Sequence, residues 1–134
     1  MTPQEFFKND IFASDAGVEL LEVREGYVKA QLKIGKKHLN AAGRTQGGAI
    51  FTLADLALAA CANSRGRLSF SLSANITFMR SSGDGDTLTA EAKEKYVGRT
   101  TGYYEVDITD QQGKLIASFR SSVFRMDKDV PFTI

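Results

Sequence analysis

The run GGAIFTLADLALAACANSRG, residues 47–66, limits the possible folds more than any other part of the chain. Its Ala, Leu, Ile and Phe side chains occupy nearly every angular position of a helix about five turns long. Such a helix is expected to be buried on all sides. Gly47, Gly48 and Asp55 interrupt it, and it falls short of the about 20 apolar residues of a membrane span, so protein must wrap it. The remaining chain supplies strand-like runs at 18–24, 27–34, 68–79, 87–97, 101–109 and 115–126. Glu25-Gly26 and the DQQG run at 110–113 read as hairpin turns. These elements predict an α+β fold, a curved antiparallel sheet of about six strands around one long central helix.

Alternation assigns faces. Val28, Ala30, Leu32 and Ile34 alternate with Lys29, Gln31 and Lys33, a strand with one wet face. Tyr104, Val106 and Ile108 should face the helix, as should Leu115, Ala117 and Phe119; Ile116, Ser118 and Arg120 should then point outward. Outward Tyr103 and Ile116 are candidates for contact with another subunit. At the N-terminus, Thr2 and Pro3 followed by Phe6, Phe7 and Ile11 predict one short leading helix.

The 134 residues suit a single domain, expected to span 1–134. Seventeen Lys and Arg nearly cancel sixteen Asp and Glu, so no global field draws the chain to nucleic acid or an anionic membrane. An anionic ligand must be held by local groups. The single cysteine, Cys61, in an apolar run, suggests a small buried hydrophobe and a reducing compartment. The opening MTPQEFFKNDIF has no secretory pattern, and the expected location is the cytoplasm.

Asp55 is the outlier. A carboxylate flanked by Leu53, Ala54, Leu56 and Ala57 is heavily desolvated, so it is either paired or used. Two turns upstream, Gln46, Gly47 and Gly48 stand where a loop enters the helix, and helix N-termini offer unpaired amides and positive dipole to an oxygen. Glycine there lets a ligand carbonyl approach the backbone. An amide donor plus a carboxylate that attacks, or activates water, is the minimum for acyl transfer. Gly47 and Asp55 are about 12 Å apart along the helix, so one chain cannot bring both to one carbonyl. Two antiparallel helices across a two-fold axis would pair them reciprocally.

The segment HLNAAGRTQGGAIFTLADLALAACANS, residues 38–64, resembles the signature of hotdog-fold acyl-CoA thioesterases of the phenylacetyl-CoA thioesterase-like branch, with His38, Asn40, Gly43, Gly47, Gly48 and Leu53-Ala54-Asp55 in register. The hotdog is the helix-in-sheet shape inferred above. The resemblance implies that Asp55 is general base or nucleophile and that the Gly47 amide polarises the thioester carbonyl from the partner subunit. It implies that Asn40 sits near the carbonyl or holds the loop, and that Ser71 orients the attacking water; Ser69 and Ser73 share its face at period two. The departure is Gln46, where the family usually has histidine. Glutamine can donate and accept but carries no proton at neutral pH, which leaves acid–base work to Asp55.

CoA is polyanionic, so Arg44, Arg80 and Arg99, in predicted loops or strand ends, are candidate contacts, with Gly48 and His38 near the substrate. No cofactor is implied, CoA being part of the substrate. The lone His38 and the absence of a cysteine pair give a metal site no support. The expected activity is acyl-CoA hydrolysis by a homo-oligomer, with a dimer of dimers the natural assembly. A noncatalytic acyl-CoA-binding module is the alternative. A hotdog dehydratase would need a catalytic histidine, against which Gln46 speaks.

Overall fold

The computed structural model describes residues 1–134. Six strands form one antiparallel sheet: β1 (Glu19–Arg24), β2 (Tyr27–Lys33), β3 (Arg67–Phe78), β4 (Thr87–Val97), β5 (Thr101–Thr109) and β6 (Leu115–Asp129). Their order is β1-β2-β4-β5-β6-β3, so the strand that follows the long helix α3 (Gly47–Ala62) lies at an edge, paired only with β6. The sheet curls around α3, the hotdog arrangement expected from the pattern. Val28, Ala30 and Leu32 of β2, Leu88, Ala90 and Ala92 of β4, and Tyr104, Val106 and Ile108 of β5 line the concave face at 0–1% exposure. They pack with Leu53, Ala54, Ala57, Leu58 and Cys61 in one core. Deletion of a buried Leu from such a core typically costs about 2–5 kcal/mol.

Both ends of α3 are fixed by side chains. At the C-terminal end, Asn63 Nδ2 donates to the Ala59 carbonyl (2.8 Å) and its Oδ1 accepts from the Ser69 N–H (2.9 Å), which joins the helix end to the start of β3. Ser64 Oγ donates to the Cys61 carbonyl (2.6 Å) and accepts from Gly26 N–H (2.9 Å), tying the same end to the β1–β2 turn. The helix therefore cannot slide within the sheet, and whatever it carries is held in register.

Four details depart from the sequence expectations. The helix is not buried on all sides: Gly48 is exposed and Thr52, Asp55 and Ala59 are half-buried, at the i, i+4, i+7, i+11 spacing of one open stripe. The leading segment is two helices, α1 (Pro3–Phe7) and α2 (Ile11–Ala16), because Asp10 accepts from Ala13 N–H (3.0 Å) and caps a new start, leaving Ile11 outside the first. Gly17, with φ +98°, closes α2. Ile116 is buried and Leu115 is 38% exposed, the reverse of simple alternation, because the β5–β6 register shifts there: Leu115 pairs with Thr109 while Ala117 pairs with Ile108. Ile116 is thus unavailable to another subunit, and Tyr103 is half-buried. Finally, the β3–β6 register shifts between Ser71 and Ser73, so Ser71 pairs with Val123 on the inner face and Ser73 with Ser122 on the outer. The three serines do not share a face. No helix is long and apolar enough to cross a membrane.

Candidate active site

The N-terminus of α3 is built by its own cap. Gln46 N–H donates to the His38 carbonyl (2.8 Å), and the Gln46 side-chain oxygen accepts from Gly48 N–H. Ala49 N–H bonds to the Gln46 carbonyl (3.0 Å). Gly47 N–H, between these, has no acceptor within the chain. It is a free donor at the positive end of a sixteen-residue helix, the arrangement that suits a developing oxyanion. A Cβ at position 47 would stand 3.0 Å from the tip of the Phe78 ring, which is 50% exposed and would have to shift by a few tenths of an ångström to admit it.

Two turns on, Asp55 lies on the open stripe. Burial pushes its carboxyl above the usual carboxylate range, with the charge of Asp10 adding in the same direction, and no hydrogen bond offsets either. An unpaired, partly desolvated carboxylate has raised proton affinity and an oxygen free to act, the profile of a general base. Because Asp10 caps α2, that short helix brings a second negative charge toward the stripe.

The other predicted residues are placed as follows. Asn40 Oδ1 accepts from Ala42 N–H (2.9 Å) and Arg44 N–H (3.1 Å), so it holds the loop that leads to α3. His38 is buried; Nε2 faces the Ala16 carbonyl (2.6 Å), which can only accept, so Nε2 carries the proton and Nδ1 accepts from Gly35 N–H (2.9 Å). Both ring nitrogens are thereby engaged inside the chain, and His38 can offer a ligand only its carbon edge. Ser71 is exposed on the inner face, 3.4 Å from Ser121 Oγ. Arg80, Asn40, Arg44 and Gly47 border one cavity of about 440 Å³. Gln46, Gly48 and His38 border another of about 640 Å³. Arg99 is not near either: its carbonyl accepts from Arg67 (2.7 Å) at the start of β3, whereas Arg80 follows the end of that strand. Twelve extended residues put them roughly 30 Å or more apart, so Arg99 cannot share a substrate with Arg80 of its own chain. Sequence reasoning missed Thr52, the α2 cap Asp10 and the α2 residue Phe12. The pairing of an Asp cap with Gly17 seven residues later was the available signal.

A carboxylate and a helix-terminal amide on a hotdog scaffold, with Arg44 and Arg80 bordering the cavity at the amide, are groups that acyl transfer can use. A family profile described as the thioesterase superfamily matches residues 42–117. An Archaeoglobus fulgidus protein named as a putative esterase is 40% identical over 127 residues, 95% of this chain and 82% of that protein. Acyl-coenzyme A thioesterase PaaI of Escherichia coli K12 is 34% identical over 120 residues, covering 90% and 86%. The solved structure of the E. coli PaaI protein from the phenylacetic acid degradation operon superposes with a TM-score of 0.90 at 33% identity, over 93% of this chain and 91% of that one. A hypothetical thioesterase from Streptococcus pneumoniae TIGR4, solved with coenzyme A, gives 0.86 at 28% identity over 92% and 99%. The chain belongs to the thioesterase superfamily.

Proposed function

We propose that the protein hydrolyses acyl-CoA thioesters to a free acid and CoA, at sites each assembled from two copies of the chain. The observation that carries the reading is the pair of unpartnered groups on α3, the Gly47 N–H and the Asp55 carboxylate, too far apart along one helix to meet on one carbonyl. In a two-fold pair with antiparallel helices, Gly47 of one protomer stands opposite Asp55 of the other. Asp55 takes a proton from water, and the oxygen attacks the thioester carbon. Gly47 N–H holds the resulting oxyanion. Collapse breaks the C–S bond, and the departing thiolate recovers the proton from Asp55. Ser71, inward on β3, is suited to orient the water, and Gln46, through its free NH₂, to position the carbonyl. No cofactor enters the cycle.

Support for the assembly comes from β3, whose outer edge has no partner in the chain and whose Phe70, Leu72 and Phe78 are 50–62% exposed. Arg44 and Arg80 supply cationic contacts for the CoA arm. The acyl-CoA names borne by the E. coli relative and the coenzyme A in the S. pneumoniae structure support the substrate class. In solution we expect a dimer of dimers in the cytoplasm; light scattering that returns a monomer mass removes the composite site.

The test is thiol release from acyl-CoAs by the parent, by Asp55→Asn and by Gly47→Pro. Proline is tolerated at the first helical position, and Gln46 has the extended backbone (φ −69°, ψ 135°) that proline demands of its predecessor, so Gly47→Pro removes the N–H with the helix kept. Each variant alone should lose about 10²-fold or more. Co-expressed, they should recover about a quarter of parental activity, since half of randomly paired dimers hold one intact site of two. No recovery refutes a site shared between chains. Tight CoA-ester binding without thiol release by the parent would make the protein a binding module.

A further inference from the structure

The two cavities that flank the N-terminus of α3 differ in chemistry. The smaller presents Arg44 and Arg80 beside Asn40 and Ser81, groups suited to an anionic, polar arm. The larger, about 640 Å³ and within the roughly 300–1,000 Å³ of small-molecule sites, is walled by Phe12, Ala16, Leu39 and Ala49. Two of its polar neighbours are engaged within the chain. Lys37 Nζ donates to the Asp15 carbonyl (2.8 Å) and His38 Nε2 to the Ala16 carbonyl (2.6 Å). Consecutive side chains thus grip the last two carbonyls of α2 and fix this six-residue helix beside the open stripe of α3. What α2 then presents is Phe12, 74% exposed.

A clamped helix that displays a large aromatic ring at the mouth of an apolar cavity, beside a free oxyanion donor, has the form of a substrate wall. We infer that the thioester lies across the N-terminus of α3 with its acyl group in the α2–α3 cavity, where Phe12 selects apolar acyl groups larger than acetyl, and with its CoA arm on the Arg44 and Arg80 side. This rests on the thioesterase reading, since the occupant is the acyl half of that substrate. The amphiphilic substrate is sorted by the two cavities: the apolar end finds Phe12, Ala16, Leu39 and Ala49 and no cation left unpaired on the α2 side, and the anionic end finds Arg44 and Arg80 on the other. Phe12 acts by covering the acyl group and excluding water; it makes no contact with the reacting atoms and is a specificity residue.

Two measurements on Phe12→Ala test the inference. The first is the ratio of kcat/KM for hexanoyl-CoA and phenylacetyl-CoA to that for acetyl-CoA. It should fall about tenfold or more, as expected when an aromatic wall is removed from an apolar subsite. The thermal midpoint should hold, because the ring is largely in water. The second is calorimetric binding of hexyl-CoA thioether, which cannot hydrolyse, compared with CoA itself. The parent should bind the thioether at least about tenfold tighter than CoA, and the variant should lose most of that difference. An unchanged ratio with an unchanged affinity difference overturns the role of Phe12 and leaves the hydrolase standing. Should the parent release no thiol, the hydrolase reading falls, and a thioether preference that Phe12→Ala abolishes still upholds the cavity.

Discussion

Replacement of Gly48 by alanine separates the placement of Gln46 from the stability of the helix. A Cβ at position 48 would stand 2.6 Å from Gln46 Oε1, 3.5 Å from its Cδ and 3.7 Å from its Nε2, so the flexible amide must swing away and release the Gly48 N–H. Loss of that cap costs about 1 kcal/mol. Alanine in place of a helical glycine returns about 0.8–1 kcal/mol, and no positive φ at Gly48 opposes the gain. The two contributions nearly cancel, and the thermal midpoint should move by no more than a few degrees. Gln46→Ala removes the cap without the gain and should lose about 1 kcal/mol. In the double variant the three atoms nearest the new methyl are gone, so the gain is recovered without further loss, and the cycle should show about 1 kcal/mol of coupling between the two positions. Chemical denaturation of the four proteins measures this; thiol release measures the function, where both single variants should lose about tenfold or more if the Gln46 amide positions the thioester. Additive stabilities, or a loss above about 3 kcal/mol in Gly48→Ala, refute the argument that the Gln46 side chain is what the methyl displaces.

Asp55 gives a signed pH effect. Its folded carboxyl lies above the unfolded value near 3.8, so the stability linked to its protonated form is complete below that value and lost as pH rises through the folded pKa. Asp55→Asn should therefore be more stable than the parent at neutral pH, with the difference vanishing in acid melts, while its activity falls. Asp10→Asn keeps a capping side chain but removes the charge that raises Asp55, so the acid limb of the kcat/KM profile should move to lower pH. Single-turnover hydrolysis in ¹⁸O-water should label only the acid product; label in Asp55 itself, found by mass spectrometry, would show that the carboxylate attacks directly. Burial pushes the Cys61 thiol up to about 12, so iodoacetamide at pH 8 should leave the native protein unmodified and alkylate it once denatured.

The reach of the sequence follows from how local each signal is. The core helix, the hairpins and the isolation of Asp55 rest on periodicities of 3.6 and 2, and they survive in the structure within a residue or three at the strand ends, β6 running on to Asp129. The errors come where one extra residue changes the phase. The bulge beside Ile116 puts Leu115 and Ile116 on the unexpected faces and the one after Ser71 separates Ser73 from Ser71, and nothing in Leu115-Ile116-Ala117 or Ser71-Leu72-Ser73 marks the slip. Of the candidate site, the free Gly47 N–H and the unpaired Asp55 carboxylate were legible because helix termini and buried carboxylates announce themselves locally. The engagement of both His38 nitrogens was not, because Ala16, which takes one of them, is 22 residues away. Nor was the 640 Å³ cavity, one wall of which is α2, bonded to Lys37 and His38 across that same gap.

The sheet order also sets a timetable for synthesis. β3 follows the helix directly, yet its neighbour is β6, so residues 67–78 emerge long before residues 115–129 that pair with them. At about 5–20 residues per second the ribosome takes on the order of 3–10 s to cover that gap. Through that interval the nascent chain carries Phe70, Leu72 and Phe78 with neither edge of their strand occupied. The same strand that waits for β6 keeps one edge open at the finished sheet's margin, so its exposed apolar side chains offer a holdase chaperone a site from synthesis onward.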